Sequence, residues 1–356
     1  MAAASGAHAR AERTGSPGRE VVVDEGAQRL RLGRGAAWAL ADELARLDVA
    51  RPLVLCSSSS QQTARRLADP LPSARVTAVA RQHVPREAVG AALREVAAHD
   101  VDGLIAVGGG SVIGLAKALA RRRHLPILAV PSTLAGSEAT PIWGETHGEG
   151  KETGRDLAVL PRVVLADPDV GRAVPAGVTA ASGLNALAHA TAAVTGPNAN
   201  PVAEALAAAG APRLLAALPA AVGGDLEARG EALLGAYLAA RGLAIAGAGP
   251  HHRICHALGG ALGLDHATTH SALLPHTVAA LAGLDPTTAA ALTRSLGRGD
   301  PAAALAALQA EIGAPRRLPL HPDDRDRAVR AAARVAAPLD EASVATVLDA
   351  ARAAAP

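Results

Sequence analysis

The chain has 356 residues, which is too many for one hydrophobic core of typical size and predicts two domains. Its 35 Lys and Arg nearly cancel its 33 Asp and Glu, and this balance argues against nucleic acid or an anionic membrane as the main partner. Residues 1–19 lack the apolar segment of a secretory signal, and no uninterrupted apolar run looks long enough for a membrane helix. Cys56 and Cys255 lie in apolar surroundings typical of buried thiols in a reducing compartment, so a cytoplasmic protein is expected.

The N-terminal part of the chain alternates short apolar runs with helical periods. Residues 1–18 are small and polar and predict a disordered leader. Strands are then predicted at 51–56, 74–79, 101–107, 126–130 and 163–166, with helices at 61–67, 85–98 and 111–121. Strands that alternate with helices form parallel sheets, so an α/β domain is predicted over residues 19–171.

Beyond about residue 172 the sequence shows helical periods alone. They cover residues 182–194, 201–218, 227–246, 250–263, 268–283, 286–297, 301–312, 323–336 and 341–354. Asp285-Pro286 and Asp300-Pro301 each combine a helix N-cap with a proline in the first turn. The sequence therefore predicts an all-α second domain over residues 172–356.

Two loops at the predicted carboxyl edge of the sheet carry residues suited to a phosphorylated ligand. Gly108-Gly109-Gly110-Ser111 joins a strand to a helix, where glycines allow close approach and free N–H groups attract a diphosphate. Ser132, Thr133 and Ser137 follow the next strand and offer hydroxyls at the same edge. The simpler interpretations are an ordinary glycine-rich turn and a polar loop with local side-chain to backbone hydrogen bonds.

Histidines are concentrated in one stretch of the second domain. Six of the 13 fall within residues 251–276, at positions 251, 252, 256, 266, 270 and 276. His252 and His256 share a helix face, and Asn185 with His189 forms a second pair of the same spacing inside an apolar run. Two such helices can meet at one polar site, which would resemble a metal site that lacks its carboxylate. Hydrogen-bonded core imidazoles are the alternative, which a lone histidine would favour.

Together these motifs resemble the iron-containing alcohol dehydrogenase superfamily and, within it, the maleylacetate reductase branch. The resemblance rests on GGGS at 108–111, PSTLAGSEATPIWG at 131–144, the Asn185/His189 pair, HHRICHALGG at 251–260 and DHATTHSALLPH at 265–276. It extends from about residue 20 to about residue 290. It implies a dehydroquinate synthase-like fold, with a dinucleotide-binding α/β domain, a helical domain, an active site in the cleft between them, and a homodimer.

The resemblance also implies a role for each matching residue. The Asp and three His that hold the metal in the metal-dependent dehydrogenases correspond to Asn185, His189, His252 and His266, and His256 matches an additional active-site histidine. The cofactor-contacting loops correspond to Gly108, Gly109, Gly110, Ser111, Ser132, Thr133 and Ser137, with further contacts expected at Lys151 and Leu160.

Several departures from the family pattern bear on the chemistry. Asn185 supplies a neutral amide, a weak ligand for Fe²⁺ or Zn²⁺, so a metal is not expected to be required. Gly114 stands where many of the alcohol dehydrogenases have Asp, and Asp265 stands where Pro is expected. The first strand ends in Cys56-Ser57-Ser58 without an acid to hold a ribose 2′-hydroxyl, so either NADH or NADPH is expected as cofactor.

A missing metal carboxylate suits reduction of a conjugated oxo-ene-dicarboxylate, such as maleylacetate, to 3-oxoadipate. Hydride addition to its activated C=C places charge on an enolate, which imidazole hydrogen bonds can stabilise, whereas an alkoxide benefits more from a Lewis acid. The absent Asp also leaves the pocket less repulsive to a dianion. We assign His256 or His252 as the enolate donor and proton source, with His251, Arg253 or Lys151 near the carboxylates.

The sequence is consistent with three hypotheses about the function of the protein. The first is a maleylacetate reductase, or a relative that reduces another conjugated oxo-acid in aromatic catabolism or in biosynthesis. The second is a metal-dependent alcohol or aldehyde dehydrogenase whose ion is held by three His and Asn185. The third is a non-catalytic nucleotide-binding or scaffold protein, which retention of the whole histidine set disfavours.

Overall fold

The computed structural model describes residues 26–82, 84–147, 150–297 and 299–354. The leader predicted at residues 1–18 lies outside these ranges. Within them, an N-terminal α/β part is followed by a helical part, as the sequence predicts. The last strand of the sheet ends at Ala166 and the first long helix begins at Ala176, so the division predicted at residues 171 and 172 falls in the link between them.

The α/β part contains eight strands in the described ranges. They are β1 Arg29–Leu32, β2 Pro52–Leu55, β3 Arg75–Thr77, β4 Gly103–Gly108, β5 Ile127–Pro131, β6 Ile142–His147, β7 Gly150–Arg155 and β8 Val163–Ala166. Six of them form a parallel sheet in the order β1-β8-β5-β4-β2-β3. A separate antiparallel hairpin pairs β6 with β7. The four central strands, β2, β4, β5 and β8, are buried along their whole length, as expected for apolar strands covered by helices on both faces.

Helices account for the remaining regular structure of the described residues. Those of the α/β part are α1 Leu40–Arg46, α2 Gln61–Ala68, α3 Arg86–Ala98 and α4 Gly110–Arg123. Those of the helical part are α5 Ala176–Thr195, α6 Pro201–Val222, α7 Leu226–Ala246, α8 Pro250–Leu262, α9 His266–Ala282, α10 Pro286–Leu296, α11 Pro301–Glu311, α12 Arg325–Ala333 and α13 Glu341–Ala353. Asp285 and Asp300 are the N-caps of α10 and α11, which confirms both predicted helix starts.

Small residues allow the helices of the second part to pack almost backbone to backbone. A Cβ atom on Gly210 of α6 would lie 2.7 Å from the carbonyl oxygen of Gly235 on α7. The helical core is accordingly made almost entirely of Ala, Leu and Val. This close packing explains how a chain without Phe still fills its interior.

One helix differs from the expectation that no apolar span is long enough to cross a membrane. By length and composition alone, the helix Pro201–Val222 is long and apolar enough to cross a membrane. It packs against α5, α7 and α10, contributes buried residues to the helical core and contains two internal prolines. We therefore assign α6 as a core helix, a class that passes the same test of length and composition.

Candidate active site

The glycine-rich loop lies between β4 and α4, at the carboxyl edge of the sheet. Gly108 ends β4 with φ of 154°, Gly109 is the N-cap residue and Gly110 begins the helix, with Ser111 in its first turn. A Cβ on Gly109 would lie only 3.0 Å from Cγ2 of Thr133. No side chain caps the N-terminus of α4, so its N–H groups are available to a diphosphate.

The serine-rich loop after β5 is held against the glycine-rich loop. Ser132 donates its backbone N–H to Gly108 O at 3.0 Å, and its own carbonyl accepts from Arg229 Nη2 at 2.7 Å. Gly136 adopts φ of 70°, and a Cβ there would lie 3.2 Å from Nδ1 of His189. The serine-rich loop therefore lies directly against His189 of the helical part.

Two buried cations that sequence reasoning missed fix the shape of the serine-rich loop. One is Arg229 on α7. The other is Lys117 on α4, whose Nζ donates to the carbonyls of Ser137, Thr140 and Ile142, each at 2.7 Å. Burial lowers the pKa of Lys117 to about 7 and raises the pKa of the neighbouring Glu138 to about 7.

The remaining predicted cofactor contacts are less well placed by the structure. Lys151 belongs to β7, and its side chain is outside the described part. Leu160 precedes β8 with its side chain 3% exposed and close to Gly26, so it offers little surface to a ligand. Cofactor contacts of these two residues stay predictions.

Histidines from three helices meet beside these loops, in what we call the histidine cluster. Its members are Asn185 and His189 on α5, His251, His252 and His256 on α8, and His266 and His270 on α9. The ring centroids of His189 and His252 are 5.2 Å apart, and those of His256 and His266 are 5.4 Å apart. The structure thus brings together the side chains predicted from two helical pairs and His266.

His270 lies at the centre of the histidine cluster, although the sequence analysis gave it no role. Its ring centroid is 4.2 Å from that of His266, 4.8 Å from that of His252 and 4.9 Å from that of His251. The available signal was its spacing of four residues from His266. The spacing was not recognised because the helix was predicted to begin at residue 268, whereas Asp265 caps it and His266 is its first residue.

The inner imidazoles are electrically neutral because burial penalises the charged form. Desolvation lowers the pKa of His189 to about 4 and that of His251 to about 3. Desolvation, with smaller contributions from neighbouring imidazoles, also holds the pKa values of His252 and His270 well below the ordinary value. His256 is exposed, so the cluster has an uncharged floor and at least one solvent-facing imidazole.

Several ring nitrogens of the cluster are buried without a hydrogen-bond partner among the described residues. They are Nδ1 of His189, both nitrogens of His252 and Nε2 of His270. Buried polar atoms normally have partners, and concentrated exceptions indicate a ligand or ordered water. The cluster is therefore a candidate ligand-binding site.

The four positions that correspond to the family's metal ligands do not fit a divalent ion in this arrangement. Nδ2 of Asn185 lies 3.3 Å from Nε2 of His189, so the amide N–H takes the lone pair that an ion would need. Two donor sets have all their ligand atoms within 4.8 Å of one another in the described ranges: His251, Cys255 and His270, and His256, His266 and His270. Neither set contains His189 or His252.

The two residues predicted to contact the substrate carboxylates, Arg253 and His251, both form hydrogen bonds within the protein. Arg253 donates from Nε to Val335 O at 2.7 Å and from Nη1 to Ala248 O at 2.9 Å, and Nη2 contacts Ala337 O. Its guanidinium is therefore held by three backbone carbonyls of the chain, and its contact with a substrate carboxylate stays a prediction. His251 is 1% exposed and bonded within the protein, so it lies behind the surface that a substrate would reach.

Position 114 on α4 is constrained from the neighbouring loop. A Cβ on Gly114 would lie 2.9 Å from Cγ2 of Val84, which itself adopts φ of 51°.

At the end of β2, Cys56 is buried, and the Ser57 hydroxyl bonds to the hydroxyls of Ser59 and Ser60. Hydroxyls therefore stand where an acid would hold a ribose.

Comparison with known proteins agrees with this architecture. Residues 27–168 match the model of the iron-containing alcohol dehydrogenases, and residues 179–346 match that of the C-terminal part of the same family. The chain is 40% identical over 299 residues to maleylacetate reductase of Sphingobium indicum, which covers 83% of this chain and 85% of that protein.

Solved structures give the same result. Maleylacetate reductase from Rhizobium sp. strain MTP-10005 has a TM-score of 0.88 and 35% identity, over 94% of this chain and 98% of that one. An iron-containing alcohol dehydrogenase from Corynebacterium glutamicum has a TM-score of 0.87 and 36% identity, over 94% and 97% of the two chains. The fold and these relatives define a two-domain, NAD(P)H-dependent oxidoreductase. The chain belongs to the iron-containing alcohol dehydrogenase family.

Proposed function

We propose that the protein reduces a conjugated oxo-ene-dicarboxylate with NADH or NADPH, and that its substrate is maleylacetate, which becomes 3-oxoadipate. The observation that carries the proposal is the Asn185 amide bonded to His189 where the family has a metal-binding carboxylate, inside a cluster of neutral imidazoles. The relatives that bear the name maleylacetate reductase support the choice of substrate.

The two loops of the α/β part fit a dinucleotide. The space that a Cβ on Gly109 would fill, and the uncapped N-terminus of α4, suit the diphosphate, while Gly136 places the adjoining loop against His189. A bound nicotinamide cofactor would supply a hydride. The protein's own task is then to hold the C=C of the substrate near the imidazoles and to stabilise the charge that forms.

The imidazoles can perform the two remaining steps. When a hydride adds to the alkene carbon β to the ketone, the π electrons move to the ketone oxygen and form an enolate. An N–H of His252 or His256 donates to that oxygen. The enolate electrons then take a proton at the α carbon, which restores the ketone. The imidazole gives this proton from one ring nitrogen as the other nitrogen takes a proton from water, so the ring stays neutral. Because His256 is exposed, it is the better placed for that exchange.

The proposal includes independence of metal, a cytoplasmic location and a homodimer. Metal independence is supported by the occupied lone pair on His189 Nε2 and by the smaller demand that an enolate makes on a Lewis acid. The location is supported by two free buried cysteines, and the homodimer by family resemblance. No role for nucleic acid or membrane is proposed.

The test is oxidation of NADH and NADPH by maleylacetate, with acetaldehyde as a simple carbonyl control, on enzyme treated with EDTA and on enzyme supplied with Fe²⁺ or Zn²⁺. We expect turnover of maleylacetate that chelation leaves unchanged. Turnover of the aldehyde alone, dependent on an added ion, would establish the metal-dependent dehydrogenase instead. Cofactor binding without turnover of either substrate would favour the non-catalytic hypothesis.

A further inference from the structure

A row of three hydrogen bonds runs through the interior behind the histidine cluster. It begins at the carbonyl of Leu273 on α9, which accepts from Thr277 Oγ1 at 2.9 Å. Thr277 Oγ1 lies 3.4 Å from His251 Nδ1, and His251 Nε2 lies 3.2 Å from His270 Nδ1. All three side chains are at most 1% exposed, so water does not compete for these bonds.

The chemistry of the groups gives this row a single direction. The hydroxyl proton of Thr277 is used on the Leu273 carbonyl, so Oγ1 can only accept, and His251 must carry its proton on Nδ1. A neutral ring has one N–H, which leaves a lone pair on His251 Nε2. His270 must therefore donate from Nδ1. Cys255 Sγ, 3.7 Å from the same Nε2, is a second donor pointing to that lone pair.

We propose that this row fixes a lone pair on Nε2 of His270, and that Thr277 and His251 are positioning residues that hold it there. Nε2 is buried and has no hydrogen-bond partner among the described residues. In an imidazole ring Nε2 points away from Nδ1, so this acceptor faces away from His251. His270 is thereby an obligatory acceptor within the cluster, and it cannot be the proton source.

The role of this acceptor rests on the proposed function. Ring nitrogens of His256, His266 and His270 lie within 4.8 Å of one another. An outer imidazole that turns an N–H toward His270 is thereby held in one orientation, and the proton source of the proposed reaction is an imidazole other than His270. Removal of Thr277 Oγ1 would free His251 to move its proton from Nδ1 to Nε2. His270 Nδ1 would then accept from His251, and the proton of His270 would move to Nε2, which would no longer be an acceptor.

The direct test is nitrogen-15 NMR of the histidine side chains in the full-length enzyme. We expect both His251 and His270 as the Nδ1–H tautomer, although free imidazole side chains favour Nε2–H. In Thr277→Val, which lacks the hydroxyl, His270 should change to Nε2–H, whereas Thr277→Ser should keep the wild-type tautomers. An Nε2–H tautomer on His270 in the wild type would overturn the inference, whether or not the protein reduces maleylacetate.

Steady-state kinetics give a second test of the positioning role of Thr277. Hydrogen-bond partners of metal-bound histidines are worth about tenfold to a hundredfold in affinity or activity, and we expect kcat of Thr277→Val to fall by a factor of that order while the Kd of NADH stays unchanged. Thr277→Ser should keep nearly full kcat. A purely structural threonine would lower Tm without changing tautomers, and equal kcat in the two variants at a temperature where both are folded would contradict the positioning role.

Discussion

His256 is the member of the histidine cluster that can be removed with least damage to packing, because it is exposed on α8. We expect His256→Ala to lower kcat by about a hundredfold to ten-thousandfold, the usual contribution of a general acid. The Kd of the cofactor should be unchanged, since the diphosphate loop belongs to the other part of the chain. Steady-state kinetics, cofactor titration and Tm on one preparation give the answer.

A matched control for this substitution is His321→Ala, at an exposed histidine far along the chain before α12. It should leave kcat unchanged. A His256→Ala enzyme with normal kcat and a lower Tm would remove His256 from the catalytic residues and make it a structural one.

Gly109 allows a direct test of the cofactor loop. Alanine there would place its Cβ 3.0 Å from Thr133 Cγ2 and fill the approach to the α4 N-terminus. We expect Gly109→Ala to weaken NADH binding by at least about tenfold, or about 1.4 kcal/mol, measured by fluorescence titration. Gly260→Ala is the control, because nothing lies within 4 Å of a Cβ at that exposed position of α8. Equal affinities in the two variants would place the cofactor elsewhere.

At the scale of helices, the cap of α9 links stability to catalysis. Asp265 accepts from the backbone N–H of Thr268 at 2.8 Å and so fixes the first turn, which carries His266. Asp265→Ala should cost about 1 kcal/mol of stability, the usual value of a cap. It should also lower kcat, because His266 would lose its fixed position in the cluster.

The chain offers a matched control in Asp340→Ala. Asp340 caps α13 through the N–H of Ser343, also at 2.8 Å, and α13 supplies no residue of the cluster. This variant should lose a similar amount of stability in urea unfolding and keep its kcat. If both variants lose stability and both keep kcat, the cap of α9 has no part in catalysis.

Full burial made the central strands of the sheet easy to predict from the sequence. The four central strands are apolar along their length, and their sequence pattern located them. Strand β1, with the sequence RLRL, is a partly exposed edge, and the hairpin β6–β7 is polar, so neither gave an apolar signal. The wrong prediction that α9 begins at residue 268 had the largest consequence. It left His266 outside the helix, so the four-residue spacing of His266 and His270 was not recognised as a helical pair.

Burial of neutral imidazoles makes the whole molecule sensitive to acid. The pKa of His189 is about 4 in the folded protein and near 6.5 when unfolded, so the unfolded chain takes up a proton first as the pH falls. Stability is therefore fully present above pH 6.5 and is lost progressively toward pH 4. His189 alone should therefore lower the free energy of unfolding by about 3 kcal/mol between pH 6.5 and pH 4, at 1.36 kcal/mol per pKa unit.

The measurement is the free energy of unfolding in urea at several values between pH 7 and pH 4. His189→Gln removes one of these titrations while retaining a side chain that can hydrogen bond, so its stability should fall less steeply with acid. Identical slopes for the wild type and the variant would mean that His189 is not buried in the neutral form.

For the molecule as a whole, the sequence was sufficient to predict a parallel α/β part followed by a helical part, because buried strands and helical periods are local patterns. The contacts that depend on tertiary packing could not be predicted from it. Arg229 donates to the carbonyl of Ser132, which lies 97 positions away in the chain, and the row from Thr277 to His270 depends on how α8 and α9 pack. Such contacts depend on distance in space, which no spacing in the sequence encodes.

The close approach of Gly114 and Val84 makes position 114 a two-residue problem for protein engineering. With Val84 at φ of 51° and its Cγ2 2.9 Å from the position of a Cβ at residue 114, a side chain there requires Val84 to shift. An acid introduced at position 114 should therefore be tolerated better together with a smaller residue at position 84 than alone. The two positions are coupled, so their substitutions should be non-additive in stability.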